Sequence, residues 1–158
     1  MSREYVIALK ESLEKKIKVL EEIERLCNMQ TETLDKEPMD YEGFDAFVND
    51  KDILIERLTK LDEGFETVYA RVSDEIKQNK DKYSDLILQM KDLIGKITDL
   101  GVSIQTIEEK NRKKVSEVME RDRRKLSDQK RSVSVALNYY KNMSGMGTPS
   151  SQFMDKKK

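Results

Sequence analysis

Carboxylates and amines are the groups through which this sequence could do chemistry, since it has 31 Asp and Glu and 30 Lys and Arg. Paired carboxylates on facing helices can hold a di-iron centre, but such sites also use Glu-x-x-His. The chain has no histidine, and so lacks the commonest general base and the commonest zinc ligand. No glycine-rich phosphate loop and no Gly-x-Ser-x-Gly elbow occurs. The sequence therefore predicts no catalytic, metal or cofactor site, and no enzymatic activity.

The single cysteine, Cys27, excludes an intramolecular disulfide and a cysteine-rich zinc site. It falls in the apolar row of its helix, where a free cysteine behaves as a small buried hydrophobe. We therefore expect Cys27 to be a core residue.

A run of mixed charge extends from Lys110 to Arg131. Its lysines and arginines could contact nucleic-acid phosphates. Acidic residues lie within and beside it, however, whereas a nucleic-acid surface more often separates the two signs on different faces. The formal net charge is only −1, so the composition gives no reason to expect nucleic acid or an anionic membrane as a partner. We expect a solvated face here and no nucleic-acid partner.

The composition points to helices as the elements that carry these residues. Charged residues make up 39% and hydrophobic residues 37%, with six glycines and two prolines, which is typical of helical bundles and coiled coils. The apolar run at residues 5–9 is too short for a signal peptide or a membrane span. We expect one all-α domain in the cytoplasm, without membrane insertion.

Apolar residues recur every three, four and seven positions, which predicts three helices over residues 3–36, 40–79 and 81–143. Pro38 ends the first helix, and Asp40 is the expected N-cap of the second. Asn79 and Asp81 favour a turn over one continuous helix, because a three-helix bundle buries both apolar stripes. Lys51 lies within the apolar row of the second helix, and we expect its stem to cover the core while its ammonium reaches water.

The predicted third helix is much longer than the other two. Read straight, it spans about 95 Å, against roughly 50 and 60 Å for the others, so about 30 Å of it would overhang the bundle. That overhang is its charged half. Glycine and serine then predict a mobile tail over residues 144–158. The predicted fold is an elongated antiparallel three-helix bundle or coiled coil over residues 1–143, with a long C-terminal helix and a mobile tail.

A narrow apolar stripe continues through the charged half, and we predict that this half and the tail dock a partner protein. The alternative for each stripe residue is packing within its own bundle or in a homodimer. The predicted partner-binding residues are Val115, Val118, Met119, Leu126, Val133, Leu137, Tyr139, Tyr140 and Phe153.

Four segments carry a resemblance to the FlgN family of flagellar export chaperones, and the first is the leucine pattern of residues 13–34, with Gln30 and Leu34 before a short acidic loop. Residues 49–62, NDKDILIERLTKLD, place an acidic-Lys pair before two aliphatics and then leucines at helical intervals. Residues 104–111, IQTIEEKN, are similar to the third-helix segment in which an asparagine closes an aliphatic stretch. Residues 151–158, SQFMDKKK, resemble the aromatic-Asp-Lys-Lys ending of many Gram-positive members.

The resemblance implies a cytoplasmic chaperone of the hook-associated proteins at the hook–filament junction, usually called FlgK and FlgL. Such chaperones keep these proteins soluble and deliver them to the type III flagellar export gate. The family binds its substrate through the C-terminal part of the third helix. In some members a tyrosine after that helix contacts the gate, and Tyr139 and Tyr140 lie in the comparable region.

Two other functions stay open at this point. The sister family FliT, whose members chaperone the filament cap protein, has similar helices. A structural coiled-coil module that only self-associates would also fit the apolar periodicity.

Overall fold

The computed structural model describes residues 2–125 and 137–140. Three long helices account for most of it: α1 (Ser2–Leu34), α2 (Tyr41–Gln78) and α3 (Ser84–Arg123). A short helix, α4, follows at residues 137–140. The described ranges contain no β-strand. The three long helices pack against one another, which confirms the predicted all-α bundle.

The connection between α1 and α2 begins after Leu34 and contains a cis peptide bond between Glu37 and Pro38. Asp40 is the N-cap of α2, because its side chain accepts a hydrogen bond from the backbone N–H of Gly43 at 3.0 Å. This bond satisfies one of the amides that a helix N-terminus leaves unpaired.

The connection between α2 and α3 is a turn. Asn79 caps α2, since its backbone N–H donates to the carbonyl oxygens of Glu75 and Ile76. Tyr83, and not Asp81, is the residue that precedes α3, and its side chain makes no capping hydrogen bond. Tyr83 is fully buried instead, so packing of its ring fixes the start of α3.

α2 runs antiparallel to α1. Lys16 of α1 forms an ion pair with Asp62 at 2.7 Å, and further along α1 the Cys27 sulfur accepts a hydrogen bond from Lys51 at 3.6 Å. A later residue of α1 therefore meets an earlier residue of α2. The short loop favours this arrangement, because short connections join antiparallel neighbours.

α3 runs in the same direction as α1. Arg3 pairs with Asp85 at 2.8 Å near one end, and the Thr31 hydroxyl donates to the side-chain oxygen of Asn111 at 2.8 Å near the other. Both α2 and α3 pack along α1, which is therefore the central helix of the fold.

Two clusters of buried side chains form the interior. The main core joins all three long helices along most of their length, and burial of each large aliphatic side chain contributes roughly 1.5–3 kcal/mol. The second cluster, which we call the distal core, lies at the end where the α1–α2 loop meets α3. The distal core consists of Leu34, Met39, Tyr41, Phe44, Val48, Val115, Val118, Tyr139 and Tyr140, with Met119 packed against it.

The predicted overhang of α3 is wrong. α1 and α3 begin at the same level, as the Arg3–Asp85 pair shows, and they contain 33 and 40 residues. The difference in length is therefore only about 10 Å at ~1.5 Å rise per residue. The α1–α2 loop and the first turn of α2 cover this remainder, since Met39 and Tyr41 both donate hydrogen bonds to Asp122.

The prediction of a single third helix over residues 81–143 is also wrong. α3 ends at Arg123, and a turn follows at Arg124 and Lys125. The backbone N–H of Lys125 donates to the carbonyl of Asp122 at 3.0 Å, which closes this turn. Residues 126–136, 141–143 and the predicted tail 144–158 lie outside the described ranges.

Replacing glycines on the outer helix faces should stabilise the bundle. A Cβ at Gly64, Gly95 or Gly101 would meet nothing within 4 Å, so no contact requires glycine there. Each Gly→Ala change should raise the free energy of unfolding by about 0.5–1 kcal/mol, because alanine loses less backbone entropy in a helix. Urea denaturation followed by circular dichroism measures the gain.

Gly43 supplies the matched control for these substitutions. A Cβ at Gly43 would collide with the Asp40 side chain, which forms the N-cap of α2. We expect Gly43→Ala to lower the unfolding free energy, since the cap must shift. An equal gain at Gly43 and Gly64 would contradict this account of the four positions.

Candidate partner-binding site

Three predicted partner-binding residues on α3 lie within the chain's own interior. Val115 and Val118 are buried in the distal core, with exposed fractions of 1% and 5%, and Met119 is half-buried against the same cluster. The isolated chain therefore packs these residues in its own bundle, which was the stated alternative, and their contact with a partner stays a prediction. The physical reason is that Leu34, Met39 and Phe44 reach the same level and cover the stripe.

The remaining predicted residues divide into two groups. Leu137, Tyr139 and Tyr140 belong to α4, whereas Leu126, Val133 and Phe153 lie outside the described residues. Leu137 is 44% exposed, while Tyr139 and Tyr140 are buried at 5% and 7%. α4 therefore points its tyrosines into the bundle and its leucine toward solvent.

The two tyrosines make specific aromatic contacts with α2. The ammonium nitrogen of Lys51 lies 4.2 Å from the centroid of the Tyr139 ring, within cation–π range. The Tyr140 ring packs against Phe44 with centroids 6.0 Å apart. Tyr139 and Tyr140 also meet edge to face at 5.1 Å. These distances suit attractive ring geometries.

Beneath Tyr139, all three long helices contribute to a buried polar cluster. Lys51 of α2 donates to the Oε1 atom of Glu108 on α3 at 2.5 Å. The Cys27 thiol of α1 donates to the same oxygen at 2.6 Å. Lys51 is fully buried and Glu108 is 6% exposed, so water screens this pair poorly. The expectation that the Lys51 ammonium reaches water is wrong, because Glu108 and Tyr139 enclose it.

Burial and charge shift the ionisation of the groups in this cluster. Burial raises the pKa of the Cys27 thiol, and the nearby Lys51 ammonium only partly offsets that rise. Burial, reinforced by the Glu108 charge, raises the pKa of Tyr139 and of Tyr140. Cys27 is thus a protonated core residue, and its predicted burial is confirmed.

Not every polar atom of this region is satisfied. The Oε2 atom of Glu108 and the hydroxyl oxygens of Tyr139 and Tyr140 are buried and make no hydrogen bond of good geometry among the described residues, although Tyr139 faces Glu108 and Tyr140 faces Asn111. An unpaired buried polar group costs about 1–3 kcal/mol.

A second polar cluster fastens the end of α3 to the α1–α2 loop. Asp122, which is 2% exposed, accepts hydrogen bonds from the Tyr41 hydroxyl at 2.7 Å and from the Met39 backbone N–H at 3.2 Å. Arg121 donates to the Lys36 carbonyl at 3.1 Å. These bonds join segments far apart in sequence and hold the distal core closed at its end.

Asp122→Asn should destabilise the fold by about 1–2 kcal/mol at neutral pH, because it weakens charge-assisted hydrogen bonds. Burial opposes ionisation, but the bonds from Tyr41, Arg121 and Met39 outweigh it and lower the pKa of Asp122. A lowered pKa means that this stabilisation is present above the ordinary carboxyl range and disappears as the pH falls through the folded-state pKa.

The check is a comparison of urea midpoints for Asp122→Asn and the unaltered chain at pH 7 and at about pH 3, below the ordinary Asp range. The difference between the two proteins should shrink at acid pH. Asp85→Asn is the matched control, since Asp85 is an exposed carboxylate with a pKa lowered by its Arg3 partner. A difference at Asp122 that is independent of pH would contradict the assignment.

The described part of the basic run behaves as a surface. Lys110 and Lys113 are exposed, Arg112 pairs with Glu109, and Lys114 pairs with Asp35 of the α1–α2 loop. Exposed pairs of this kind contribute little to stability. They keep the two signs interleaved on one face, which is the arrangement expected of a solvated surface.

Other kinds of site receive no support from the described residues. Within residues 2–125 and 137–140, His, Cys, Asp and Glu do not come together in any group that could hold a metal ion. Over the same ranges, each helix is too short or too polar to cross a membrane.

Sequence reasoning missed the central role of Lys51 and Glu108. A signal existed, because Lys51 follows Phe44 by seven residues and Glu108 follows Ile104 by four, so each occupies a core-facing position. Two opposite charges in the apolar rows of two helices can indicate a buried pair, because isolated buried charges are too costly to retain.

Comparison with known proteins gives a match over most of the chain. The family model described as FlgN protein matches residues 1–142, which include all three long helices and α4. No curated protein and no solved structure matches the chain.

Proposed function

Because this chain belongs to the FlgN family of flagellar export chaperones, we propose that it binds hook-associated proteins in the cytoplasm, keeps them soluble and delivers them to the export apparatus. The match of the FlgN family model over residues 1–142 carries this proposal. The function is binding and release, without catalysis.

The proposed binding region is the C-terminal part of the chain, where the distal core meets α4. An export substrate that is not yet assembled exposes amphipathic segments that would otherwise self-associate. A helical partner covers such a segment by laying it in an apolar groove. Ordering of the substrate on binding offsets part of the contact energy, which favours moderate affinity and release at the export gate.

Leu137 is an apolar residue of this region that stays accessible to a partner, with 44% of its surface exposed. Val115, Val118, Tyr139 and Tyr140 could contact a substrate only after the distal core opens, because the isolated chain buries them. Gate contact through either tyrosine has the same requirement.

The test uses the full chain and the purified hook-associated proteins of the same organism, with size-exclusion chromatography and light scattering as readouts. We expect the chain to co-elute with a hook-associated protein and to suppress its aggregation. Ile53→Asp is the control variant, since Ile53 is 60% exposed on α2 and is none of the proposed contacts, and it should bind as the unaltered chain does.

Each outcome of this assay has a distinct meaning. Binding of the filament cap protein alone would replace the proposed substrate with the FliT-like alternative. A stable dimer that binds neither class of substrate would favour the self-associating coiled-coil module. Removal of residues 108–158 is a poor test, because it would delete Glu108, Val115 and Val118 from the interior.

A further inference from the structure

α2 and α3 enclose a groove along the middle of the bundle, because each of them packs mainly on α1 and touches the other much less. Side chains join the two helices at two points. Lys51 pairs with Glu108 toward the distal core, and at the other end the Tyr83 hydroxyl donates to Glu75 at 3.3 Å. Glu75 follows Lys51 by 24 residues and Tyr83 precedes Glu108 by 25, so the two antiparallel helices run side by side between these points.

Rows of mostly apolar residues seven positions apart line the two walls of this groove. The row of α3 that ends at Glu108 faces α2, because Glu108 meets Lys51. The row of α2 that ends at Glu75 faces α3, because Glu75 meets Tyr83. Residues seven apart lie on nearly the same side of a helix, so both rows face the groove. The α2 row comprises Leu54, Leu61 and Val68, and the α3 row comprises Ile87, Ile94 and Gly101.

The walls are only partly covered by the chain itself. Leu61, Val68 and Ile87 pack against the main core but are half-buried. Val102, beside Gly101 on the α3 side, is 59% exposed. An amphipathic helix laid along such a groove would bury these apolar side chains.

The rims of the groove carry positive charge. Arg57 and Arg71 each lie three residues from one member of the α2 row and four from another, and Lys91 lies likewise beside the α3 row. The residues on the opposite, inner side of the two rows include Leu58 and Met90, which are buried. The three cations therefore form the outer rims. All three are exposed, and none forms an ion pair with another described residue.

The acids of this stretch lie away from the groove. Each of four exposed acids is two residues from a member of the α2 or α3 row, which places it about 160° around the helix axis from that row. These acids are Glu56, Glu63, Asp92 and Asp99. The middle of the groove is therefore apolar between cationic rims.

The chain's own C-terminal residues do not complement these rims. Residues 141–158 contain four lysines and one aspartate, and residues 126–136 contain two basic residues and one acid. Like charges across an interface oppose binding. Charge complementarity therefore favours an occupant from another protein.

We propose that this groove docks an amphipathic helix of a partner protein, whose apolar stripe is flanked on both sides by Asp or Glu. The stripe covers the two apolar rows, and the flanking acids meet Arg57 and Arg71 on one side and Lys91 on the other. Arg57 and Arg71 are 14 residues apart in sequence. This separation is about 21 Å along α2, so a partner helix of about four turns spans it. Docking here leaves the distal core and α4 in place, so this surface is separate from the C-terminal region of the proposed function.

The test uses the full chain and a fluorescently labelled helical peptide of about 18 residues, with leucines at helical spacing and glutamates on both flanks. Fluorescence anisotropy should show binding that weakens as the salt concentration rises. A matched peptide with lysines in place of the glutamates should bind at least about tenfold more weakly. A Glu-flanked peptide with serines in place of the leucines should not bind. Equal binding of the Glu-flanked and Lys-flanked peptides would overturn the proposal.

Arg57→Glu/Lys91→Glu reverses the charge of both rims without breaking an ion pair of the described chain. We expect it to bind the Glu-flanked peptide at least about tenfold more weakly than the unaltered chain does, and the Lys-flanked peptide more tightly. The gain for the second peptide also shows that the variant is folded. Lys15→Glu/Lys18→Glu makes the same change in net charge at exposed positions of α1 and is the matched control, with unaltered binding. Equal losses in the two variants would indicate a general charge effect and contradict docking in the groove.

The position of the bound peptide is measured on the unaltered chain, so this part of the test needs no variant. A photoreactive benzophenone in the leucine stripe should crosslink within residues 54–71 and 87–102, as mapped by mass spectrometry. Crosslinks confined to residues 108–140 would place the peptide in the C-terminal region and overturn the proposal. A dimer that light scattering detects and that Arg57→Glu/Lys91→Glu dissociates would make a second copy the occupant, with the same consequence. An oligonucleotide that displaces the peptide and binds as tightly would identify a phosphate site instead.

Discussion

Replacing Lys51 by methionine should lower the free energy of unfolding by about 3–5 kcal/mol, because the change strands the Glu108 carboxylate in the interior. Glu108 is 6% exposed, and its Oε1 atom receives hydrogen bonds from Lys51 and Cys27. Methionine matches the lysine stem in volume, so cavity formation contributes little. Since small domains are stable by only about 5–15 kcal/mol, the loss is a large part of the total. Urea denaturation followed by circular dichroism measures it.

The double variant Lys51→Met/Glu108→Gln is the matched control for that experiment. It removes both charges, and the amide oxygen still offers an acceptor to the Cys27 thiol. Neutral replacement of a buried ion pair is often close to neutral in stability, so most of the loss should be recovered. A double variant as unstable as Lys51→Met would show that the lysine stem, and not the stranded charge, accounts for the effect.

Introducing a carboxylate at Val115 should have an effect of similar size. Val115 is 1% exposed and packs in the distal core with Leu34, Phe44 and Tyr140. Val115→Asp would bury a charge without a designed partner, and we expect it to reduce the free energy of unfolding by about 3–5 kcal/mol. The thermal unfolding midpoint should fall correspondingly, with no substrate present in the sample.

Val102→Asp is the matched control, because Val102 lies on the same helix and is 59% exposed. A surface substitution of this kind changes stability by about 0.5 kcal/mol or less. The two variants therefore separate an interior role for Val115 from an open partner-binding role. Equal stability of both variants would mean that Val115 is available to a partner in the free chain.

Together, these two pairs of variants test whether internal packing and substrate binding would use the same residues. The apolar stripe of α3 and the aromatic pair of α4 are what a chaperone would offer an amphipathic segment, and the isolated chain uses them to close its own distal core. Any substrate that binds there must compete with these internal contacts, and its apparent affinity is reduced by the fraction of chains that remain closed.

Much of the fold was predictable from the sequence. Local signals predict the first helix and the turn that follows it. They are the heptad rows of α1, the break at Pro38 and the N-cap at Asp40. Cys27 was predictable as a core residue for the same reason, since it lies in the row that begins at Val6. The apolar periodicity of a helix involves only residues that are close in sequence, so it can be recognised without knowing the rest of the fold.

The site was less predictable, as Lys51 illustrates. Its position in an apolar row was visible, but whether its ammonium reached water or a buried carboxylate depended on Glu108, which is 57 residues away. A long flexible side chain can satisfy the apolar row in either way. Only the packing of α2 beside α3 brings the two charges to one point.

By itself, the sequence determined that the chain is helical, where its first two helices meet, and which face of each helix is apolar. The tertiary structure alone decided what covers the apolar face of α3. The spacing of apolar residues around Val115 and Val118 is the same whether that face packs against a substrate or against the chain itself. The loop at Met39 and the tyrosines of α4 happen to reach it, and such a long-range contact is set by chain geometry, which the local spacing of residues does not encode.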